Sequence, residues 1–109
     1  MNIQKLMKEA QKAQRKVAEA QERLGSMTVE GSAGAGMVTA TATGEGTVTA
    51  VRIDPKVVDP EDVEMLEDLV TAAVNEAQRR AKELQEQEMG SAMGGLGGMG
   101  GMGGMGGLF

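Results

Sequence analysis

The chain has 109 residues, with 11 Lys or Arg against 16 Asp or Glu for a net charge of −5, no Cys, His, Trp or Tyr, and a single Phe at its last position. Those absences exclude zinc fingers, iron–sulfur sites, disulfide frameworks, thiol nucleophiles and imidazole general bases, so no enzyme is expected and no motif calls for a cofactor. They also leave the foldable part of the chain without an aromatic ring to stack on a nucleobase.

Residues 90–109 contain 11 of the 17 Gly and no charged side chain, which reads as a disordered Gly/Met-rich tail behind a domain over residues 1–89. Within that domain Leu, Ile and Val number only 17, close to the composition of disordered chains. A core so poor in volume is marginal in a monomer, and a second copy of the chain is the most direct source of further apolar area. An obligate homodimer is therefore expected. No apolar run reaches the length of a membrane span, and the first 24 residues carry six basic side chains at helical intervals. Neither a membrane segment nor a signal peptide is expected, and the expected location is the cytoplasm.

In chain order, Ile3, Leu6, Ala10, Ala13, Val17, Ala20 and Leu24 follow one another at alternating steps of three and four, a heptad seam. Good helix formers surround it, and Gly25-Ser26 supplies the stop, for a helix of roughly 33 Å. With Ala at three of its seven positions, the seam needs a close partner and a sheet or helix behind it. From Met27 the period becomes two. Residues 27–30 form a short predicted strand, 31–36 a flexible connection, and 37–43 and 47–53 two strands joined by a hairpin at Gly44-Glu45-Gly46. In the last strand Val51 and Ile53 share a face with Thr47 and Thr49, and Val48, Ala50 and Arg52 share the other, so both faces carry apolar residues and the pattern alone does not decide which is buried.

Asp54-Pro55 ends the sheet. Asp59 is expected to cap a second helix, with Pro60 at its first position and Glu61 and Asp62 on the positive end of its dipole. Its apolar stripe is Val63, Leu66, Val70, Ala73, Ala77 and Leu84, widened by Leu69, Val74 and Ala81. It should run to Met89, where Gly90 ends it. At roughly 45 Å it exceeds what short strands can cover, so its distal half is expected to project toward a partner or solvent.

The charge is unevenly distributed. Residues 1–24 carry Lys5, Lys8, Lys12, Arg15, Lys16 and Arg23 against Glu9, Glu19 and Glu22, whereas residues 54–68 carry seven acids against Lys56. Lys5, Lys8, Lys12 and Arg15 lie opposite the seam as one outward stripe. The plain reading is a solvated face with Lys5–Glu9, Arg15–Glu19 and Glu19–Arg23 pairs. The functional reading is a row of point charges for DNA phosphates, each contact releasing counterions. With no aromatic to stack on bases, and only Gln, Asn and Arg able to read a base edge, single-strand and sequence-specific binding are both disfavoured. Arg79, Arg80 and Lys82 form a second basic group, diluted by Glu76, Glu83, Glu86 and Glu88. The acids at residues 54–68 lack the loop spacing of a calcium site, and capping explains several of them. The Gly-Gly-Met repeat through Met99, Met102 and Met105 has soft thioethers that suit copper(I), but disorder is its stronger reading.

The opening at Asn2-Ile3, Gly36-Met37-Val38, the Gly44-Glu45-Gly46 hairpin and above all VRIDPKVVDPEDVEMLEDLVTAAVNEA from Val51 to Ala77 resemble the YbaB/EbfC family of bacterial nucleoid-associated proteins. The resemblance covers residues 1–89. It implies an α+β fold of a helix, a three-stranded antiparallel sheet and a long helix, in an intertwined homodimer with projecting, tweezer-like helices. It further implies binding of double-stranded DNA with little or no sequence preference, in the nucleoid, with effects on nucleoid organisation and gene expression, and no membrane or small-molecule partner. Transferred to this chain, the implied DNA-binding residues are Lys5, Lys8, Lys12, Arg15 and Lys16, with Arg79, Arg80 and Lys82 less secure. The alternative is a dimeric protein-interaction adaptor that uses the helical seam and the Met-rich tail.

Overall fold

The computed structural model describes residues 2–92. In chain order it contains α1 (Ile3–Ser26), β1 (Thr28–Ala33), β2 (Val38–Thr43), β3 (Val48–Ile53), a 3-10 turn (Pro55–Val57) and α2 (Val63–Ala92). The strands form one antiparallel sheet in the order β1-β2-β3. This is the α+β arrangement expected, a helix, a three-stranded sheet and a long helix. Two compact units are distinguished among the described residues, Leu24–Gln85 and the pair of segments 2–23 and 86–92.

In the Leu24–Gln85 unit the core is built from small side chains. Val38, Ala40 and Ala42 of β2 and Ala73 and Ala77 of α2 are buried together, and Val29, Ala33, Val48, Ile53, Leu66, Leu69, Val70 and Val74 close around them. Ala73, Ala77 and Ala81 are all fully buried, so the helix presents its smallest residues at i, i+4, i+8 to its neighbours. Gly31 of β1 completes that close approach. A Cβ at Gly31 would run into the α2 backbone at Ala77 N and Ala73 O and lie 2.8 Å from Glu76 C. The shortage of large aliphatic residues is thus met partly by proximity: dispersion contacts form backbone to backbone where large side chains would hold the layers apart.

The strand pairing also settles the face that alternation left open. Val38 lies opposite Ile53, and Ala40 opposite Val51, but Thr41 pairs with Ala50 while Ala42 pairs with Val48. Thr49 is therefore unopposed, a β-bulge that shifts the alternation by one residue. Simple alternation separates Val48 from Ile53; the bulge brings Val48 to the helix-covered face, where both are half-buried against the core.

Three boundaries differ from the sequence-based expectation. First, β1 continues through Gly31 to Ala33, because Gly31 sits under α2 and is not part of a loop. The connection to β2 shrinks to a turn in which Gly34, Ala35 and Gly36 have φ of 64°, 56° and 87° and Met37 N–H donates to Gly34 O at 3.1 Å. Second, Asp59 and Pro60 do not open α2. Asp59 accepts from Glu61 N–H at 2.9 Å, and its carbonyl accepts from Asp62 N–H at 2.9 Å, so Asp-Pro begins a separate turn. The helix opens instead at Val63, with the Asp62 carboxylate accepting from Met65 N–H at 3.2 Å and Glu64 as the acid of its first turn. Val63, at the very start, is consequently 52% exposed. Third, α2 passes Gly90 and reaches Ala92; the expectations for the rest of the tail, including Met99, Met102 and Met105, fall outside the described residues.

The hairpin is pinned from several sides within the same unit. The Thr43 hydroxyl accepts from Glu45 N–H at 3.2 Å and Thr47 N–H at 3.3 Å. Gly44 N–H reaches the carbonyls of Leu24 and Met27, both at 3.0 Å, and so satisfies the end of α1. The Gln85 side-chain amide donates to Gly44 O at 2.8 Å, which ties α2 to the same turn.

Candidate nucleic-acid interface

In the unit that contains residues 2–23, α1 opens on Asn2, whose side chain accepts from Lys5 N–H at 3.2 Å while its carbonyl accepts from Leu6 N–H at 3.1 Å. No Gly or Pro interrupts the helix before Gly25, so its 3.6-residue period carries through. At that period Lys5, Lys8, Lys12, Arg15 and Lys16 fall within an arc of about 100°, spread over about 16 Å of helix axis. All five are exposed. Among the described residues none of their side chains forms an ion pair, so the Lys5–Glu9 and Arg15–Glu19 pairs of the plain reading do not form. Glu9 lies at the margin of the arc, and Glu19 enters it only after Lys16.

The opposite side of α1 carries the seam, and its two halves differ. Ala20 is fully buried, while Ile3 and Leu6 are 67% and 48% exposed, and Met7, beside the seam, is 57% exposed. Arg23, the remaining cation of this segment, is engaged with Glu88 of α2 at 3.1 Å. A surface concavity of about 300 Å³ along α1 is lined by Ala13, Gln14, Val17, Ala18 and Gln21, none of them titratable.

In the Leu24–Gln85 unit the second basic group is arranged quite differently. Arg79 lies 3.7 Å from Glu76 and 2.7 Å from Glu83, and Arg80 lies 3.5 Å from Glu76. Lys82 takes no part in these pairs. The Glu76 carboxylate also accepts from Ser32 N–H of β1 at 2.7 Å. That backbone bond, opposed by partial burial and assisted by Arg80 and then Arg79, holds the Glu76 carboxyl below its ordinary range. Two of the three cations are therefore already occupied by carboxylates. The i, i+3 and i, i+4 spacing of Glu76, Arg79, Arg80 and Glu83 makes these pairs readable along the sequence. The Ser32 contact is not, because it joins residues 44 positions apart.

Among the described residues no group of three acids gathers in a way that could hold a metal ion. No helix among them is long and apolar enough to cross a membrane.

Comparison with known proteins bears on the same region. The model of the YbaB/EbfC DNA-binding family matches residues 1–96. A nucleoid-associated protein of Streptomyces avermitilis is 53% identical over 94 residues, covering 86% of this chain and 83% of the relative. Relatives of the same name from Saccharopolyspora erythraea and Acetivibrio thermocellus are 50% identical over 93 residues and 52% identical over 94, covering 85% and 86% of this chain and 80% and 83% of their own. The crystal structure of an uncharacterized protein from Helicobacter pylori superposes with a TM-score of 0.69 over 80% of this chain and 91% of that one, at 20% identity, a likeness of fold. Because the family model spans both helices and the whole sheet, and relatives about half identical extend over most of their own length, the chain belongs to the YbaB/EbfC DNA-binding family.

Proposed function

We propose that this protein binds double-stranded DNA largely without sequence preference, as a homodimer, through Lys5, Lys8, Lys12, Arg15 and Lys16 on the phosphate backbone. The observation that carries the reading is the arc of five exposed cations on α1, none engaged by a carboxylate among the described residues. Unpaired cations in a row meet phosphates without first giving up a partner, and each contact releases counterions. The described residues offer no aromatic platform and no imidazole, so contacts of this kind position a duplex without reading its bases. The family is a DNA-binding one and not an enzyme family. Its relatives' name, nucleoid-associated protein, supports a place in the nucleoid of the bacterial cytoplasm, and the proposal extends to effects on nucleoid organisation and gene expression.

The homodimer rests on the exposed apolar residues at the start of α1. Ile3, Leu6 and Met7 form an apolar stripe on a charged helix that is out of keeping with a solvated face, and a second copy burying it would leave the cations on the far side of α1 free. The same stripe favours the second reading, an adaptor docking another protein. Replacing Lys5, Lys8, Lys12 and Arg15 together with Glu separates the two. Duplex binding is expected to disappear while circular dichroism and the mass from light scattering stay unchanged. Binding that survives this reversal sinks the phosphate reading, and a stable protein partner with no duplex shift at physiological salt supports the adaptor.

A further inference from the structure

The ion pairs on α2 bear on when its basic group can touch DNA. Arg79 is gripped by two carboxylates, and they are not equivalent. Glu76 already has structural work: one of its oxygens accepts from Ser32 N–H at 2.7 Å, joining α2 to the edge strand β1, and its side chain is 28% exposed. Glu83 is 61% exposed, and its contact is with Arg79 alone, at 2.7 Å. It contributes nothing to the core and holds nothing but a guanidinium.

A carboxylate and a phosphate present the same chemistry to arginine, an oxyanion accepting charge-assisted N–H bonds. Glu83 therefore occupies donors that a phosphate would take. We infer that Glu83 is an intramolecular competitor of phosphate for Arg79, which makes the basic group of α2 a latent DNA contact that engages only when phosphate displaces this carboxylate. An exposed i, i+4 pair is weak and screened by salt, so the exchange is reversible and follows the local density of phosphate. The consequence is graded binding: Arg79 stays with its own helix in the free protein and adds a phosphate contact once Glu83 is displaced. The inference rests on the phosphate-backbone reading above and concerns which cations enter it, and when.

The test compares full-length Glu83→Gln with Glu86→Gln, which removes the same charge from the same helix without touching an arginine pair, and with the double variant Arg79→Gln/Glu83→Gln. Duplex binding is measured against salt, with thermal melts confirming that each variant is folded. Glu83→Gln is expected to bind several-fold tighter, with a log–log salt slope steeper by about 0.9 for each Arg79 that gains a phosphate. Glu86→Gln should show a smaller gain and an unchanged slope, and the double variant should lose the gain. Equal gains in the two single variants, or a gain that persists without Arg79, would show a general charge effect and overturn the role of Glu83 as competitor. No gain in Glu83→Gln overturns it as well, while wild-type binding to DNA leaves the α1 reading standing. A wild type that binds no duplex even at low salt refutes that reading, and the competition with it.

Discussion

The salt dependence of duplex binding tests the proposed interface most directly, because the structure sets its size. Lys5 to Lys16 occupy about 16 Å of α1. Over that length a duplex presents about nine phosphate charges, at one per roughly 1.7 Å of axis, so phosphates are not limiting and the five cations are. At about 0.9 per neutralised phosphate, one helix with all five engaged gives a slope of log affinity against log salt of about −4.5, and two helices of a homodimer about −9. For one helix this is a loss of about 500-fold between 50 and 200 mM salt. Replacing Lys8 by Gln should make the slope shallower by about 0.9 per engaged helix and weaken binding by the same factor on every duplex, since a phosphate contact carries no base information. Fluorescence anisotropy on two unrelated duplexes of equal length, with salt varied across that range, measures both quantities. A slope shallower than about −2, or an affinity that differs tenfold between the duplexes, refutes the argument.

Two other outcomes follow from the packing. Gly31→Ala should destabilise the fold by about 2 to 3 kcal/mol, because its methyl group meets α2 backbone and no flexible side chain. A shift in the urea midpoint worth less than about 0.5 kcal/mol would mean that helix and strand are less closely seated than described. Glu76 should contribute to the pH dependence of stability. Its carboxyl titrates below the ordinary value near 4.5, so its contribution is complete above that pH and is lost as the pH falls through its own lower pKa. Urea titrations of wild type and Glu76→Gln should therefore diverge at neutral pH and converge in acid; a gap that widens on acidification has the wrong sign for this linkage.

Several parts of the fold were legible residue by residue. The α1 seam, the hairpin at Gly44-Glu45-Gly46 and the apolar stripe of α2 all follow from local periodicity and turn chemistry, which act over a few residues. The helix start at residues 59–63 is ambiguous in the sequence because Asp59-Pro60 is equally good as a cap and as a turn. What decided between them is the Asp62 carboxylate on Met65 N–H. Gly31 read as a loop residue for a similar reason: a glycine required by close contact and one required by flexibility are the same letter.

Helical periodicity alone places the α1 cations opposite the apolar seam. Both are consequences of one helical period, and no distant contact is needed to produce them. Tertiary structure decided the core and the tie between Glu76 and Ser32. The bulge at Thr49 brought Val48 to the buried face. Gly31 let α2 settle onto β1, and the carboxylate of Glu76 was recruited to Ser32 across the chain. These depend on which surfaces meet, a choice made by shape and by backbone hydrogen bonds between segments far apart in sequence.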